Sequence, residues 1–182
     1  MARVPDAKRE DFPEKLQYVW DAVAEGREPP NIFKAMGNNP HVLLAYLRLV
    51  NGLWNHCGLD LQTRELVILR SAMNSQSRYE WHQHVRIGRD AGLSDDQILA
   101  LQSWKDSDAF DQQEKTLFAY VDQFAGDGVP SQESHDAMAA AFGESTTAAV
   151  AILVPFYQMT ARFLAAMDVQ PEEPFVGWAL EG

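Results

Sequence analysis

Two glutamates and one histidine, Glu65, Glu80 and His84, have the types and spacing needed to exchange protons with a substrate. On a helical wheel at about 100° per residue, Glu65 falls in the middle of the apolar stripe of the segment 61–74. Glu80 and His84 fall on the apolar stripe of the next segment, 77–91, and their i, i+4 spacing lets them touch. We therefore predict that all three side chains point inward and meet where two consecutive helices pack together.

Burial changes the chemistry of these groups. Charged side chains on apolar faces lose hydration energy unless they are paired, so a cluster of Glu65, Glu80, His84 and the Ser77 hydroxyl is predicted. Burial beside a second carboxylate raises the pKa of at least one glutamate, and a neighbouring carboxylate favours the imidazolium form of His84. Such groups are typical of general acid–base catalysis. The alternative is a polar network that only locks the packing of the two helices.

Ser77, three aromatic residues and one arginine are candidates for substrate binding. Trp54, Trp81 and Tyr157 are aromatic side chains that can line an apolar pocket, although core packing alone also explains them. Arg162 is the candidate clamp for a substrate carboxylate, and its alternative is a solvated or interface arginine.

A metal site is the second chemistry that the trio of Glu65, Glu80 and His84 permits, because carboxylate and imidazole ligands suit zinc or iron. The helical wheel argues against a metal site, since the obvious extra ligand, His82, lies on the opposite, outward face of its helix. Arg64 is also predicted on the outward face of its own helix. We therefore expect neither a metal nor a cofactor. Cys57 is expected to be an inert buried thiol, with an activated thiol as the alternative.

Composition excludes several classes of function. Lys and Arg total 15 against 26 Asp and Glu, and the net charge of −11 repels nucleic acid and anionic membrane surfaces. One cysteine among 182 residues cannot form a disulfide or a CxxC redox pair within the chain. The first residues contain no apolar stretch that marks export, so we expect a cytoplasmic protein. The longest apolar run, 148–157, falls short of the ~20 residues that cross a membrane.

Apolar residues recur at helical spacing along the chain and hardly ever alternate as in strands, which predicts one all-α domain over residues 1–182. We expect helices at 13–25, 40–57, 61–74, 77–91, 94–101, 111–124, 131–142 and 145–167, one helical turn near 32–33, and an irregular tail at 168–182. Asp60 is the predicted cap of the third helix, and Gly92 is predicted just after the fourth. The last helix is apolar nearly all round, so we expect it to be buried centrally or against another copy in a homo-oligomer.

The segments 64–70 (RELVILR), 79–85 (YEWHQHV) and 91–98 (AGLSDDQI) resemble the carboxymuconolactone decarboxylase and AhpD-like superfamily. The resemblance covers about residues 40–125, and Phe156-Tyr157 with Arg162 in the C-terminal helices, 126–167, is similar to the extended members. It implies an AhpD-like helical bundle that assembles as trimers or hexamers. It also implies a small-molecule site between helices.

The peroxidase branch of that superfamily carries two cysteines in a CxxC pair followed by a histidine. Here the resemblance places Glu65 and His84 at the glutamate and histidine positions, but Ser77 and Glu80 at the cysteine positions. A hydroxyl and a carboxylate cannot cycle through a sulfenic acid, so no peroxidase activity is expected. The branch without these cysteines works without metal or cofactor. It implies an acid–base lyase that decarboxylates a small unsaturated lactone acid or a ring compound from aromatic catabolism.

Two alternatives to the decarboxylase remain open. The same trio of side chains would also serve an isomerase or hydratase acting on a similar small ring. The other alternative is a non-catalytic oligomeric or binding protein that uses this fold and keeps the polar trio for packing.

Overall fold

The computed structural model describes residues 2–126 and 128–180, and regular structure in this part of the chain is helical throughout. The α-helices are α1 (Gln17–Ala24), α2 (Asn31–Met36), α3 (Pro40–His56), α4 (Leu61–Asn74), α5 (Arg78–Asp90), α6 (Asp95–Ala100), α7 (Gln112–Asp122) and α8 (Gln132–Met167). Short 3-10 helices lie at Arg9–Asp11, Glu14–Leu16 and Leu101–Ser103. The all-α prediction is confirmed.

Side-chain caps fix the register of the two helices that carry the predicted trio. Asp60 accepts a hydrogen bond from a backbone N–H in the first turn of α4 at 3.0 Å, as its predicted capping role requires. Ser77 caps α5 by accepting from the Glu80 N–H at 3.4 Å. Gly92 follows α5 with φ of +97°, a left-handed conformation in which glycine carries no steric cost. These ends determine which side chains of α4 and α5 point inward.

Helix α4 lies at the centre of the bundle, packed against α5, α7 and α8. Val67 and Ile68 join the core formed with α7 and α8, while Leu66 and Leu69 join a second core beneath α5. All four side chains are at most 1% exposed. Burying each contributes about 1.5–3 kcal/mol, so α4 is held firmly on most of its circumference.

Both predicted C-terminal helices are present within α8, where the non-helical backbone of Gly143 (φ 81°, ψ 159°) separates one from the other. Helix α8 is long and apolar enough to cross a membrane, but the buried core helix of a soluble bundle can be equally long and apolar. Val150 and Leu153 are fully buried against the rest of the bundle. On the other side, Ile152 is 52% and Met159 51% exposed. The single chain therefore does not bury α8 on all sides. Only one face of α8 is the core face.

The tail after α8 is irregular, as predicted, but it covers the outer face of α5. The Phe175 ring stacks on His82 with 5.8 Å between ring centroids, and the Val176 N–H donates to His82 Nδ1 at 3.0 Å. His82 is consequently only 1% exposed. The prediction that His82 faces solvent was wrong, because the tail folds back over the face that the wheel had assigned to it.

Candidate active site

Glu65, Glu80 and His84 meet in the interior, between α4 and α5. Glu65 Oε2 lies 2.6 Å from His84 Nδ1, and Glu80 Oε2 lies 3.5 Å from His84 Nε2. None of the three residues is more than 4% exposed. The imidazole therefore bridges two carboxylates in a site largely closed to water, which is the arrangement predicted from the helical wheel.

Arg64 completes the cluster, although the wheel predicted it on the opposite face. Its Nε and Nη2 atoms donate to Glu65 Oε1 at 3.1 and 2.8 Å, and its Nη1 donates to the Trp54 carbonyl at 2.8 Å. The prediction was wrong because α4 has little free surface and the long arginine side chain bends back along it. The sequence did contain a signal for this contact: Arg64 is adjacent to Glu65, and a buried carboxylate needs a positively charged partner.

The two glutamates have different environments. Burial favours the neutral form of Glu65, but His84 and Arg64 outweigh that effect and lower its pKa, so Glu65 is ionised at neutral pH. Burial raises the pKa of Glu80 to about 7, with His84 opposing the shift and Glu65 adding to it. One carboxylate thus carries a fixed charge while the other changes protonation near neutrality, a division typical of acid–base sites.

The polar atoms that remain available belong to Glu80 and His84. Glu80 Oε1 is buried, and within residues 2–126 and 128–180 it has no hydrogen-bond partner. The 3.5 Å between Glu80 Oε2 and His84 Nε2 is longer than a good hydrogen bond. The predicted contribution of the Ser77 hydroxyl takes another form, since that oxygen caps α5. A substrate atom between Glu80 and His84 would therefore find a donor and an acceptor that are not fully used.

Trp54 and Tyr157 form the aromatic wall that the sequence predicted. The Trp54 ring lies 6.2 Å and the Tyr157 ring 5.0 Å from the His84 ring, both edge to face. The Trp54 indole N–H donates to the Tyr157 hydroxyl at 2.8 Å. Tyr157 is buried and Trp54 half-buried, so the wall reaches from the cluster towards the surface.

Two predicted binding residues lie elsewhere. Trp81 turns towards the tail, where its indole N–H donates to the Gly177 carbonyl at 3.0 Å and its ring packs 5.2 Å from Trp178. Arg162 is exposed and lines a surface cavity of about 240 Å³ that contains none of the trio. The sequence predicted both through their positions on apolar helices, but a helix in a bundle has several packed sides, and only one of them faces the site.

The geometry does not favour the metal alternative. Among the described residues, no group of three or more His, Cys, Asp or Glu side chains is arranged to hold a metal ion. Glu65 is already engaged by Arg64 and by His84 Nδ1, so the two carboxylates and the imidazole do not converge on one point. Cys57 is buried at the end of α3.

The central segment of the chain matches one family model. Residues 40–123 match the model of the Carboxymuconolactone decarboxylase family, and they contain the whole Glu65, Glu80 and His84 cluster. This match, together with the AhpD-like structures below, supports a relationship to the carboxymuconolactone decarboxylase and AhpD-like superfamily for a chain that has no CxxC pair.

Several solved structures share the fold. The debrominase Bmp8 without ligand has a TM-score of 0.79 at 20% identity, over 93% of this chain and 92% of that one. The alkylhydroperoxidase AhpD core protein from Ralstonia eutropha has a TM-score of 0.82 at 15% identity, over 96% and 94%. A putative antioxidant defence protein AhpD from Agrobacterium tumefaciens has a TM-score of 0.66 at 21% identity, over 74% and 92%. No curated protein matches the chain significantly.

Proposed function

We propose that this protein is an acid–base lyase that needs no cofactor and decarboxylates a small unsaturated lactone acid or a related ring compound derived from aromatic catabolism. One observation carries the proposal: His84 lies between an ionised carboxylate, Glu65, and a second carboxylate, Glu80, that titrates near neutrality. These side chains are buried, so protons move between them and a substrate with little competition from water.

Each residue of the cluster has a role in this reaction. The Glu65 carboxylate accepts the Nδ1–H of His84, which turns Nε2 towards Glu80 and the substrate. When the substrate loses carbon dioxide, the electron pair of the broken C–C bond stays on the ring. The Nε2–H of the imidazolium protonates that carbon, and Glu80 then returns a proton to Nε2. Positioned acid–base groups of this kind contribute about 10²–10⁴-fold to a rate.

The charge of the cluster suits an anionic substrate. Arg64 and Glu65 cancel each other, so the cluster carries one net positive charge when His84 is protonated and Glu80 is neutral. A substrate carboxylate gains from that charge before it leaves as neutral carbon dioxide. The apolar, aromatic surroundings of Trp54 and Tyr157 favour the dispersal of that charge from the carboxylate into the ring.

A small planar ring fits the aromatic wall. The similar fold of the debrominase Bmp8 has been solved in complex with 2,3,4-tribromopyrrole, which is a small planar ring. In this chain, Trp54 and Tyr157 stand edge to face with His84, and the guanidinium of Arg64 lies 4.8 Å from the centre of the Trp54 ring. Both observations support a substrate built on a ring.

An isomerase is the second candidate, and the state of Glu80 favours it. A carboxyl group with a pKa of about 7 accepts and returns protons equally well at neutral pH. Glu80 would remove a proton from one ring carbon while His84 delivers one to another. This reaction moves a double bond without releasing carbon dioxide.

We further propose a homo-oligomer, a trimer or hexamer, built through the exposed faces of α3 and α8. Val42 and Leu49 on α3 are 57% and 45% exposed, and Ile152 and Met159 on α8 are similarly open. Burying such apolar side chains against a second copy removes them from water. Light scattering of the wild type and of Ile152→Glu tests this assembly, and a monomeric wild type would contradict it.

The decarboxylase proposal is tested with purified protein and a panel of small unsaturated lactone acids, with carbon dioxide release as the readout. We expect release by the wild type and by Glu133→Gln, a matched control on an exposed glutamate. Loss of release is expected in Glu80→Gln and His84→Ala. Hydrogen exchange from deuterated solvent into the ring without carbon dioxide would identify the isomerase instead. If the folded wild type gives neither signal, the decarboxylase and isomerase proposals are both wrong, and a binding protein is the remaining alternative.

A further inference from the structure

The hydroxyl group of Tyr157 accepts one hydrogen bond and donates none to the part of the chain that the structure describes. Its oxygen accepts the Trp54 indole N–H at 2.8 Å, and Tyr157 is only 4% exposed. Within the described ranges 2–126 and 128–180, no hydrogen bond uses the Tyr157 proton. A buried hydroxyl that accepts but does not donate is unusual, because an unmade hydrogen bond costs free energy in the interior.

Tyr46, the neighbouring buried tyrosine, behaves differently. Its hydroxyl lies 3.2 Å from Thr160 Oγ1. Thr160 uses its own proton on the Phe156 carbonyl at 2.9 Å, so Thr160 must be the acceptor and Tyr46 the donor. The Tyr46 proton is therefore committed to the protein, whereas the Tyr157 proton is not.

Position and environment direct the Tyr157 proton to the reaction. The Tyr157 ring stands edge to face with His84, 5.0 Å between centroids, and its hydroxyl is bonded to Trp54, whose ring also lies edge to face with His84. Burial, with the negative charges of Glu80 and Glu65 nearby, raises the pKa of Tyr157 and keeps the hydroxyl protonated. A hydroxyl that accepts one hydrogen bond also becomes a stronger donor of its own.

We propose that Tyr157 donates a hydrogen bond to the substrate oxygen on which negative charge develops, and that Trp54 is the positioning residue that holds its hydroxyl in place. This inference rests on the proposed function. As carbon dioxide leaves, the electron pair of the broken bond delocalises onto a carbonyl oxygen conjugated with that carbon. Tyr157 stabilises the resulting oxyanion and keeps its proton, while His84 protonates the carbon. The preferred substrate therefore has a carbonyl conjugated with the reacting carbon.

The test uses 2,6-difluoro-4-nitrophenolate, a coloured planar anion that mimics the oxyanion of the ring intermediate. Binding is measured with the full-length protein at pH 6, where Glu80 is mostly neutral. We expect Tyr157→Phe to weaken binding by about 10- to 100-fold, the effect of one charge-assisted hydrogen bond. Trp54→Phe, which keeps a ring but loses the N–H, should weaken it by roughly 3- to 10-fold. The absorption band of the bound phenolate should shift in both variants.

Tyr46→Phe is the matched control, because the Tyr46 hydroxyl is already bound to Thr160. It should leave both the affinity and the absorption band unchanged. Unaltered affinity and absorption in Tyr157→Phe would overturn the inference, as would a wild type that does not bind the phenolate. This experiment measures binding, and the test of the proposed function measures carbon dioxide release. Either can fail while the other succeeds, so the failure of one proposal can be told from the failure of the other.

Discussion

Arg64 and Glu65 are consecutive on α4, yet the guanidinium of the first binds one carboxylate oxygen of the second through two nitrogens. Neighbours on a helix point about 100° apart, so this contact requires the arginine to bend back along the helix. The other oxygen of Glu65 is left for His84. The orientation of the His84 imidazole thus depends on the Arg64–Glu65 ion pair behind it.

Replacing Arg64 should destabilise the protein. Arg64→Leu leaves the Glu65 charge buried without one of its two partners, and breaking such a pair costs about 3–5 kcal/mol. Thermal denaturation should show a fall in Tm of roughly 6–20 °C for a chain of this size. The double variant Arg64→Leu/Glu65→Gln, which removes both charges, should recover part of the loss. Equal loss in the single and double variants would show that the ion pair is unimportant.

The activity should depend on the protonation of Glu80. Its pKa of about 7 means that the carboxyl is neutral below that pH and ionised above it. Ionisation removes the net positive charge of the cluster, so binding of an anionic substrate weakens as the pH rises. We expect kcat/KM to fall about tenfold per pH unit above pH 7. A profile that rises between pH 7 and 9 would contradict this assignment.

The stability of the protein should also fall as the pH rises, because of the same residue. A carboxyl group whose pKa is raised from 4.5 to about 7 on folding contributes most below pH 4.5, and that contribution is lost between pH 4.5 and 7. At pH 8 the buried charge costs up to about 3 kcal/mol. Glu80→Gln should therefore stabilise the protein at pH 8, and much less at pH 5. Urea denaturation at both pH values measures the difference, and equal effects would be evidence against the raised pKa.

The tail should loosen in acid. Burial lowers the pKa of His82, and its Nδ1 accepts the Val176 N–H, which a protonated imidazole cannot do. Glu172 and Glu173 oppose this shift, whereas Arg86 adds to it. The contact is therefore present at neutral pH and persists below the usual value of 6.5, until the pH falls through the lowered pKa of His82. Hydrogen exchange at the Val176 amide, corrected for intrinsic rates, should speed up at pH 5, and His82→Phe should show no such step.

Hydroperoxide reduction with a dithiol reductant should remain at background. The positions that resemble the cysteine pair hold Ser77 and Glu80, and the single thiol, Cys57, is buried. Reduction through a sulfenic acid and a disulfide needs two accessible thiols. Clear turnover that survives Cys57→Ala would require a different mechanism and would contradict the reading of these two positions.

Much of this site was predictable because helical periodicity is a local property. The register of α4 and α5 follows from their caps, and it places Glu65, Glu80 and His84 on facing sides without knowledge of the remaining chain. The burial of the Arg64 and His82 side chains is not determined by local sequence. It depends on α4 being surrounded and on residues 169–180 folding back, which no spacing within one helix encodes.

The covering of α5 by the tail has a practical consequence for anyone who shortens or extends this chain. Trp81 and Trp178 shield one another, and Glu172 reaches back to the Tyr79 hydroxyl at 3.0 Å. Deleting the tail would expose a tryptophan and an unsatisfied imidazole on the reverse side of the helix that carries the reacting histidine. Truncated or C-terminally tagged preparations should be compared with the untagged chain of residues 1–182 before missing turnover is attributed to the chemistry.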